Sequence, residues 1–412
     1  LLKGETLVVD FGQNAAAVPV FEFAAESGAE LVARPAEMLN DLNGVKARGN
    51  DGPEGSVYRL NLRNAKAELR YTFSGAKDGE RYFPRFTFFG YRYISVTATG
   101  DVLFRTVRSE PVTSVGKELE TGLFETGVAE LNKLVSNIRW GMFSNYLSVP
   151  TDCPQRNERL GWSADTQVFT GAAAYSADTY GFFLKWMRDM RESQHDDGAF
   201  PSVAPFGQYG NEGNNLGWAD AGVIVPWTMW RRFGDTTILK ENWAAMEKFM
   251  ARIDADEYAW DGKQYTYSDW LSYEKYETSG GWHKWKDHPE AVRYRDYIAK
   301  CHWLQDARMM AEIARALGKD DAAARYKAMA EKALARIREK FIEADGMLPV
   351  PFRDMQTPAL FALRRGIIEK GTPAWTKTRD GLLANIKEHG DCLQTGFIGT
   401  SILMDTLTYE AG

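Results

Sequence analysis

Along the first hundred or so residues, apolar and polar side chains alternate one by one. LVVDF, VPVFEFAA, AELRYTF and YRYISVTATG all keep a period of two, the period of a strand with one buried face. Clusters of Gly, Asn and Asp such as RGNDGPEG punctuate them, as turns do. Closely spaced strands with turn signals predict a β-sandwich, placed here over residues 1–114, with a linker over 115–127. From residue 128 onward the period lengthens to that of a helix. AELNKLVSNIRWGMFSNYL, TQVFTGAAAYSA, YGFFLKWMRDMRES, GVIVPWTMWRRF and TTILKENWAAMEKFMARI carry apolar residues at helical spacing. CHWLQDARMMAEIARALG, AAARYKAMAEKALARIREKF, TPALFALRRGII, TRDGLLANIKEHG and GFIGTSILMDTL do the same.

About ten helices in succession, with aromatic loops between many of them and no fixed repeat, predict a ring of helix hairpins over residues 128–412. Such a ring gathers its loops at one end, over its axis. A long irregular segment, from about Asp256 to Pro289, is rich in Tyr and Trp. Segments of that length inside a domain are usually functional or disordered, and the aromatics argue against disorder.

Composition narrows the function. A net charge of −6 supplies no basic footprint for nucleic acid. The longest apolar runs, such as AGVIVPW at Ala221 to Trp227, are too short to span a bilayer. Cys153, Cys301 and Cys392 are widely spaced, without a CxxC, so neither a disulfide framework nor a zinc pattern is expected. His283 and His288 stand five apart beside Trp282 and Trp285, a weak match to a ligand pair. No metal and no cofactor is expected. The 13 Trp, 18 Tyr and 22 Phe are the unusual feature, since aromatics supply flat apolar walls for ligands as well as core.

Three loops combine Trp with carboxylates. DCPQRNERLGWSAD gathers Asp152, Arg156, Glu158, Arg159, Trp162 and Asp165 around a Pro and a Gly. It reads either as a surface salt-bridge loop or as a sugar site. Glycoside hydrolysis needs one carboxylic acid to protonate the leaving oxygen and a second carboxylate across the ring. Asp152 and Asp165 would raise the pKa of Glu158, while Arg156 and Arg159 would lower it unless they pair with the aspartates. FGQYGNEGNNLGWADA ends in Trp218 and Asp220, read as a hydrophobic anchor with a helix cap or as a pocket wall. YSDWLSYE places Trp270 between Asp269 and Glu274, with nothing in the spacing to select either carboxylate. HDDG (His195 to Gly198) reads first as a helix exit and turn, and second as a place where Asp196 or Asp197 reaches a ligand. The Lys/Arg/Glu-rich helix from Lys327 to Lys340 reads as a solvated face.

PTDCPQRNERLGWSAD, from Pro150 to Asp165, resembles the signature of family 78 of the glycoside hydrolases, the α-L-rhamnosidases. Ala164 stands where that family often has Gly. VVDFGQN (Val8 to Asn14), AEMLN (Ala36 to Asn40) and FTFFGYRYISV (Phe86 to Val96) resemble the family's β domain. GWADA, SDWL and TGFIGTSILMDTL resemble later parts of its barrel. The resemblance spans nearly the whole chain and implies an (α/α)6 barrel behind a β-sandwich. It implies that Glu158 is the general acid of an inverting enzyme that releases terminal α-L-rhamnose. Asp152, Arg156 and Asp165 would bind the rhamnosyl unit, and Trp162, Trp218 and Trp270 would form its apolar wall. The partner expected is a rhamnose-containing oligosaccharide or glycoside.

In that family the base is a Glu directly after a Trp, beyond the TGF helix, and none of the 13 Trp here precedes a Glu. The chain opens on Leu1, and both ends read as cuts in a longer protein. The barrel is therefore expected to lack its last helices, and the base to lie beyond the chain end, leaving these 412 residues nearly inactive alone. Asp269 or Glu274 is the fallback base. Another (α/α)6 glycosidase and a non-catalytic rhamnose-binding protein are the competing readings.

Overall fold

In the computed structural model, the alternating N-terminal stretch forms a six-stranded antiparallel sheet. The structure describes residues 1–207, 210, 211, 213, 215–255, 267–274 and 288–411. Most of the irregular segment from Asp256 to Pro289, His283 included, lies outside the described residues. The chain divides into two compact units, residues 1–161 with 175–182, and residues 162–174 with 183–412.

In the first unit the sheet runs β5 (Leu69–Thr72), β2 (Glu30–Ala36), β7 (Phe89–Ala98), β1 (Thr6–Ala24) and β6 (Glu80–Tyr82). β8 (Leu103–Pro111) also pairs with β1. LVVDF and VPVFEFAA, two strands by periodicity, are one strand here. The register shifts between Asp10 and Ala15, and Gly12 takes φ +77° inside that shift, so a bulge bends the ladder without breaking it. β7 lies between β2 and β1 and is buried on both faces at Phe89–Tyr91 and Ile94–Val96, which explains why its alternation is imperfect. Phe21, Phe23, Leu31, Phe73, Tyr91, Ile94 and Val96 form the core against this sheet. Two short pairs complete the strands, β3 (Met38–Leu39) with β4 (Val57–Tyr58) and β9 (Tyr146–Leu147) with β10 (Val149–Pro150). Helix α1 (Ala129–Asn145) packs on β1 in this unit, where Ser144 Oγ accepts the Ala16 N–H at 3.1 Å.

The second unit is helical. Most of α2 (Ser163–Ser176) and α3 (Tyr180–Glu192) belongs to it. α4 (Ala221–Phe233) and α5 (Thr237–Ala255) form a hairpin that turns at Gly234, φ +77°. α6 (Pro289–Ala316) and α7 (Asp320–Phe341) form a second hairpin. α8 (Gln356–Arg364) packs against both α9 (Pro373–Glu388) and α10 (Phe397–Thr406). All ten predicted helical stretches are helices. α6 starts twelve residues before CHWLQD. Pro289 opens it at a position where a missing N–H costs nothing, and His288 caps it, its Nδ1 accepting the Glu290 N–H at 3.2 Å. The early part of α6 hides from periodicity because charged residues are buried along it. Asp296 there is paired with Lys300 at 2.5 Å and Lys340 at 2.7 Å. α7 buries Tyr326, Ala330, Ala333 and Ile337 on one face, with the charged residues on the other, as its pattern predicts.

Candidate active site

The signature loop follows the β9–β10 hairpin. Thr151 is tied back to α1, its N–H and Oγ both donating to the Asn145 carbonyl at 2.8 and 2.9 Å. Asp152 then closes the loop on itself. Its N–H donates to the Leu160 carbonyl at 3.0 Å, and its Oδ1 accepts the Leu160 N–H at 3.1 Å. The seven residues between are a compact turn rather than a helix, as Pro154 and Gly161 foreshadow. Gly90 of β7 seats this turn. A side chain there would come within 2.7 Å of the Gln155 Cβ and 2.9 Å of its Cα.

The charges inside the turn divide by task. Arg159 leaves the carboxylates. Its guanidinium lies 4.0 Å over the Phe88 ring and donates to the Phe88 carbonyl at 2.9 Å, so it fastens the turn to the start of β7. Arg156 stays. Its Nη2 is 2.7 Å from Glu158 Oε2 and 3.6 Å from Asp152 Oδ2. The Glu158 carboxylate therefore has a guanidinium on it, and that guanidinium is not drawn off to the aspartate. The Glu158 side chain is only 10% exposed. Burial holds the Asp152 carboxyl above its usual range, and the Glu158 charge adds to this. Asp152, Cys153 and Glu158 bring their ligand-type atoms within 4.8 Å of one another. Burial pushes the Cys153 thiol up to about 12, and Arg156 lies on Glu158 at 2.7 Å.

Two residues unmarked by sequence complete this cluster. Arg63 Nη1 lies 3.0 Å from the same Glu158 oxygen. Glu37 accepts from Asn14 Nδ2 and Asn61 Nδ2, both at 2.9 Å, and the Arg156 charge acts on it. Asn14 and Glu37 lie in VVDFGQN and AEMLN, stretches whose resemblance carried no role. Arg63 had no sequence signal at all.

In the second unit the three singled-out tryptophans meet at one ring. Tyr267 contacts Trp162 at 5.7 Å, Trp218 at 4.8 Å and Trp270 at 5.5 Å between centroids. Sequence reading quoted Tyr267 but did not single it out. Trp162 pairs with Val203 just before α2, where the Ser163 N–H and Oγ both reach the Ser202 carbonyl, at 2.8 and 2.9 Å. Asp165 stands in the first turn of α2. Trp218 is 2% exposed and also packs on Phe397. Trp162 and Trp270 are half-buried.

The other carboxylates are structural in their bonding. Asp269 is fully buried. Its Oδ2 accepts from Thr357 Oγ1 at 2.6 Å and Gly396 N at 2.7 Å, and its Oδ1 from Gly399 N at 2.9 Å. Glu274 accepts from Thr357 N at 3.0 Å and Tyr294 Oη at 3.1 Å. Asp220 stands at the cap position of α4 but its side chain makes no cap bond. It turns inward to the Gly217 N–H and to His302. In HDDG, Asp197 accepts the Ala199 N–H at 3.0 Å and pairs with Arg252, the predicted turn role.

Residues 1–115 match the family described as bacterial alpha-L-rhamnosidase concanavalin-like domain. Residues 119–412 match the bacterial alpha-L-rhamnosidase 6 hairpin glycosidase domain. The alpha-L-rhamnosidase of Streptomyces avermitilis is 33% identical over 98% of this chain, and one from Formosa agariphila is 32% identical over 99% of it. The crystal structure of the S. avermitilis enzyme complexed with L-rhamnose covers 100% of the chain at 34% identity and a TM-score of 0.81. The chain spans 36% and 41% of the lengths of these two relatives, and 36% of that crystallised chain.

Proposed function

The chain belongs to the bacterial alpha-L-rhamnosidase family, and from that premise we propose that the protein is an inverting glycoside hydrolase that releases terminal α-L-rhamnose. Glu158 is the general acid. Its proton passes to the glycosidic oxygen as the anomeric carbon–oxygen bond breaks. A water attacks the opposite face and gives its proton to a second carboxylate. We assign that base to neither Asp269 nor Glu274. Asp269 is fully buried and accepts from Thr357, Gly396 and Gly399, and Glu274 accepts from Thr357 and Tyr294, bonds that suit pins of the helical unit. Asp152, Arg156 and Asp165 are the polar partners of the rhamnosyl hydroxyls. Trp162, Trp218 and Trp270 supply apolar faces, which suit the methyl group of a 6-deoxy sugar. The division into a β-sandwich to residue 114, a linker over 115–127 and a barrel from 128 is the organisation we propose.

The observation that carries this reading is the largely buried Glu158 carboxylate, gripped by Arg156 at 2.7 Å inside the self-closed loop. The test is hydrolysis of α-L-rhamnosides by the full protein, with the first-formed anomer read by NMR. β-Rhamnose is expected, with Glu158→Gln slower by about 10²- to 10⁴-fold on substrates with poor leaving groups. Equal turnover of other glycosides in a nitrophenyl panel, or rhamnose binding without turnover, would overturn it.

A further inference from the structure

One buried amide ties together the three loops that carry Trp162, Trp218 and Tyr267. Asn215 has no exposed surface. Its Oδ1 accepts the Tyr267 N–H at 3.2 Å, and its Nδ2 donates to Ser202 Oγ at 3.0 Å. Its backbone carbonyl accepts the N–H groups of Trp218 and Ala219, both at 2.9 Å. The Ser202 carbonyl in turn holds Ser163, which starts α2 directly after Trp162. A backbone N–H can only donate, so Tyr267 fixes which end of the amide faces it and leaves the donor end for Ser202.

The loops are of a kind that needs such a tie. Tyr267 opens a turn in which Ser268 and Leu271 take φ +54° and +65°, values that non-glycine residues rarely adopt. Asp269 fixes that turn to α8 and α10 through Thr357, Gly396 and Gly399. Asn215 ties its first residue to the loops of Trp162 and Trp218. Beside Trp218, Gly217 takes φ +99°. Its N–H donates to Asp220 and its carbonyl accepts from Gln167 Nε2, so the peptide that leads into the indole is held from both sides.

On the reading that these tryptophans line the rhamnosyl site, we propose that Asn215 is a positioning residue that sets the spacing of the apolar wall, and with it the preference for a 6-deoxy sugar. Fully buried, it acts through the rings, which stand 4.8–5.7 Å from Tyr267 between centroids, and not by touching the sugar. Dispersion contacts to a methyl group fall off steeply with distance, and an apolar wall rejects an added hydroxyl only modestly. Discrimination between a methyl and a hydroxymethyl group therefore depends on where the rings stand. Alanine at position 215 leaves the Tyr267 N–H and the Ser202 hydroxyl without these partners and frees the loops to shift. Aspartate keeps the shape. One oxygen still accepts from Tyr267, and the other accepts from the Ser202 hydroxyl, which rotates to donate.

The test uses the full protein with the nitrophenyl α-L-rhamnoside and α-L-mannoside, which differ by the hydroxyl on C6, and calorimetric binding of the two free sugars. The wild type is expected to favour the rhamnoside in kcat/KM by about tenfold or more. Asn215→Ala is expected to remove most of that preference, chiefly by raising KM for the rhamnoside, and Asn215→Asp to restore most of it. A smaller folded fraction lowers both rates together and leaves their ratio alone, so a merely structural role does not move this readout. Ser202→Ala, which removes one of the two side-chain bonds, is expected to shift the ratio the same way by less, and serves if Asn215→Ala fails to fold. An unchanged ratio, or a loss that aspartate does not repair, overturns the proposal. Trp162→Ala separates the two levels. Rhamnose affinity that survives it refutes the wall itself, whereas affinity lost there with an unmoved ratio in Asn215→Ala refutes only the role of Asn215.

Discussion

At the scale of residues, the same chemistry serves two ends. Glu158 and Glu274 are both shielded carboxylates, but Glu158 has guanidinium partners, whereas the donors to Glu274 among the described residues are the Thr357 N–H and the Tyr294 hydroxyl. Burial first, and then the Asp269 charge, push Glu274 up to about 8 from an ordinary 4.5. The folded state therefore holds this proton more tightly than the unfolded chain. The associated stability is present below about pH 4.5 and is lost as pH rises to about 8. Thermal unfolding of the full protein is expected to weaken along that window, by up to a few kcal/mol at the order-of-magnitude level. Glu274→Gln, which keeps the acceptor without the charge, is expected to flatten the slope. Parallel slopes in the two proteins would show that Glu274 does not hold its proton.

At the scale of elements, the proposed acid Glu158 depends on how a loop is seated on a strand. Gly90 of β7 and the Phe88–Arg159 contact hold the signature turn from one side, and the Asp152–Leu160 pair closes it. Gly90→Ala brings a methyl group to 2.7 Å from Gln155. The turn must shift, at a cost of about 1–3 kcal/mol. A larger fall in kcat/KM than in thermal stability is expected, since sub-ångström displacement of a catalytic group is costly. Unchanged kinetics would mean that the turn is not the element that positions the acid. The helical hairpins follow a simpler rule. Their boundaries were legible wherever apolar spacing or a breaker marked them, and illegible in the first part of α6, where a helix buries Arg295, Asp296 and Lys300.

At the scale of the molecule, each compact unit carries its own core. Of the 13 Trp, only Trp140 falls within the first unit, so indole emission reports almost solely on the helical one. Phe23 is fully buried among Phe21, Tyr71, Phe73 and Phe104. Phe23→Ala is expected to cost the sheet unit about 3–5 kcal/mol. In urea, loss of the far-ultraviolet sheet signal should then precede the change in tryptophan emission. Coincident transitions in the variant would show that the two cores melt as one. Among the described residues no helix is long and apolar enough to cross a membrane.

What the linear chain determined was whatever depends on residue type at short spacing. The change from a period of two to a helical period set the order of strands and helices. The unbroken run from Pro150 to Asp165 singled out Glu158 and the charges around it. What only the tertiary structure decided was who meets whom across long separations. Arg63 reaches Glu158 from 95 residues away. Glu37 gathers Asn14 and Asn61, and Tyr267 collects three tryptophans from three loops. Asp220 gives up the cap that its position suggested and turns inward, to 3.7 Å from the buried His302. Local pattern follows from backbone geometry and burial of one face, which the sequence writes directly. A pairing between distant charges is written nowhere in the chain, because it exists only once the turns that carry them have been brought together.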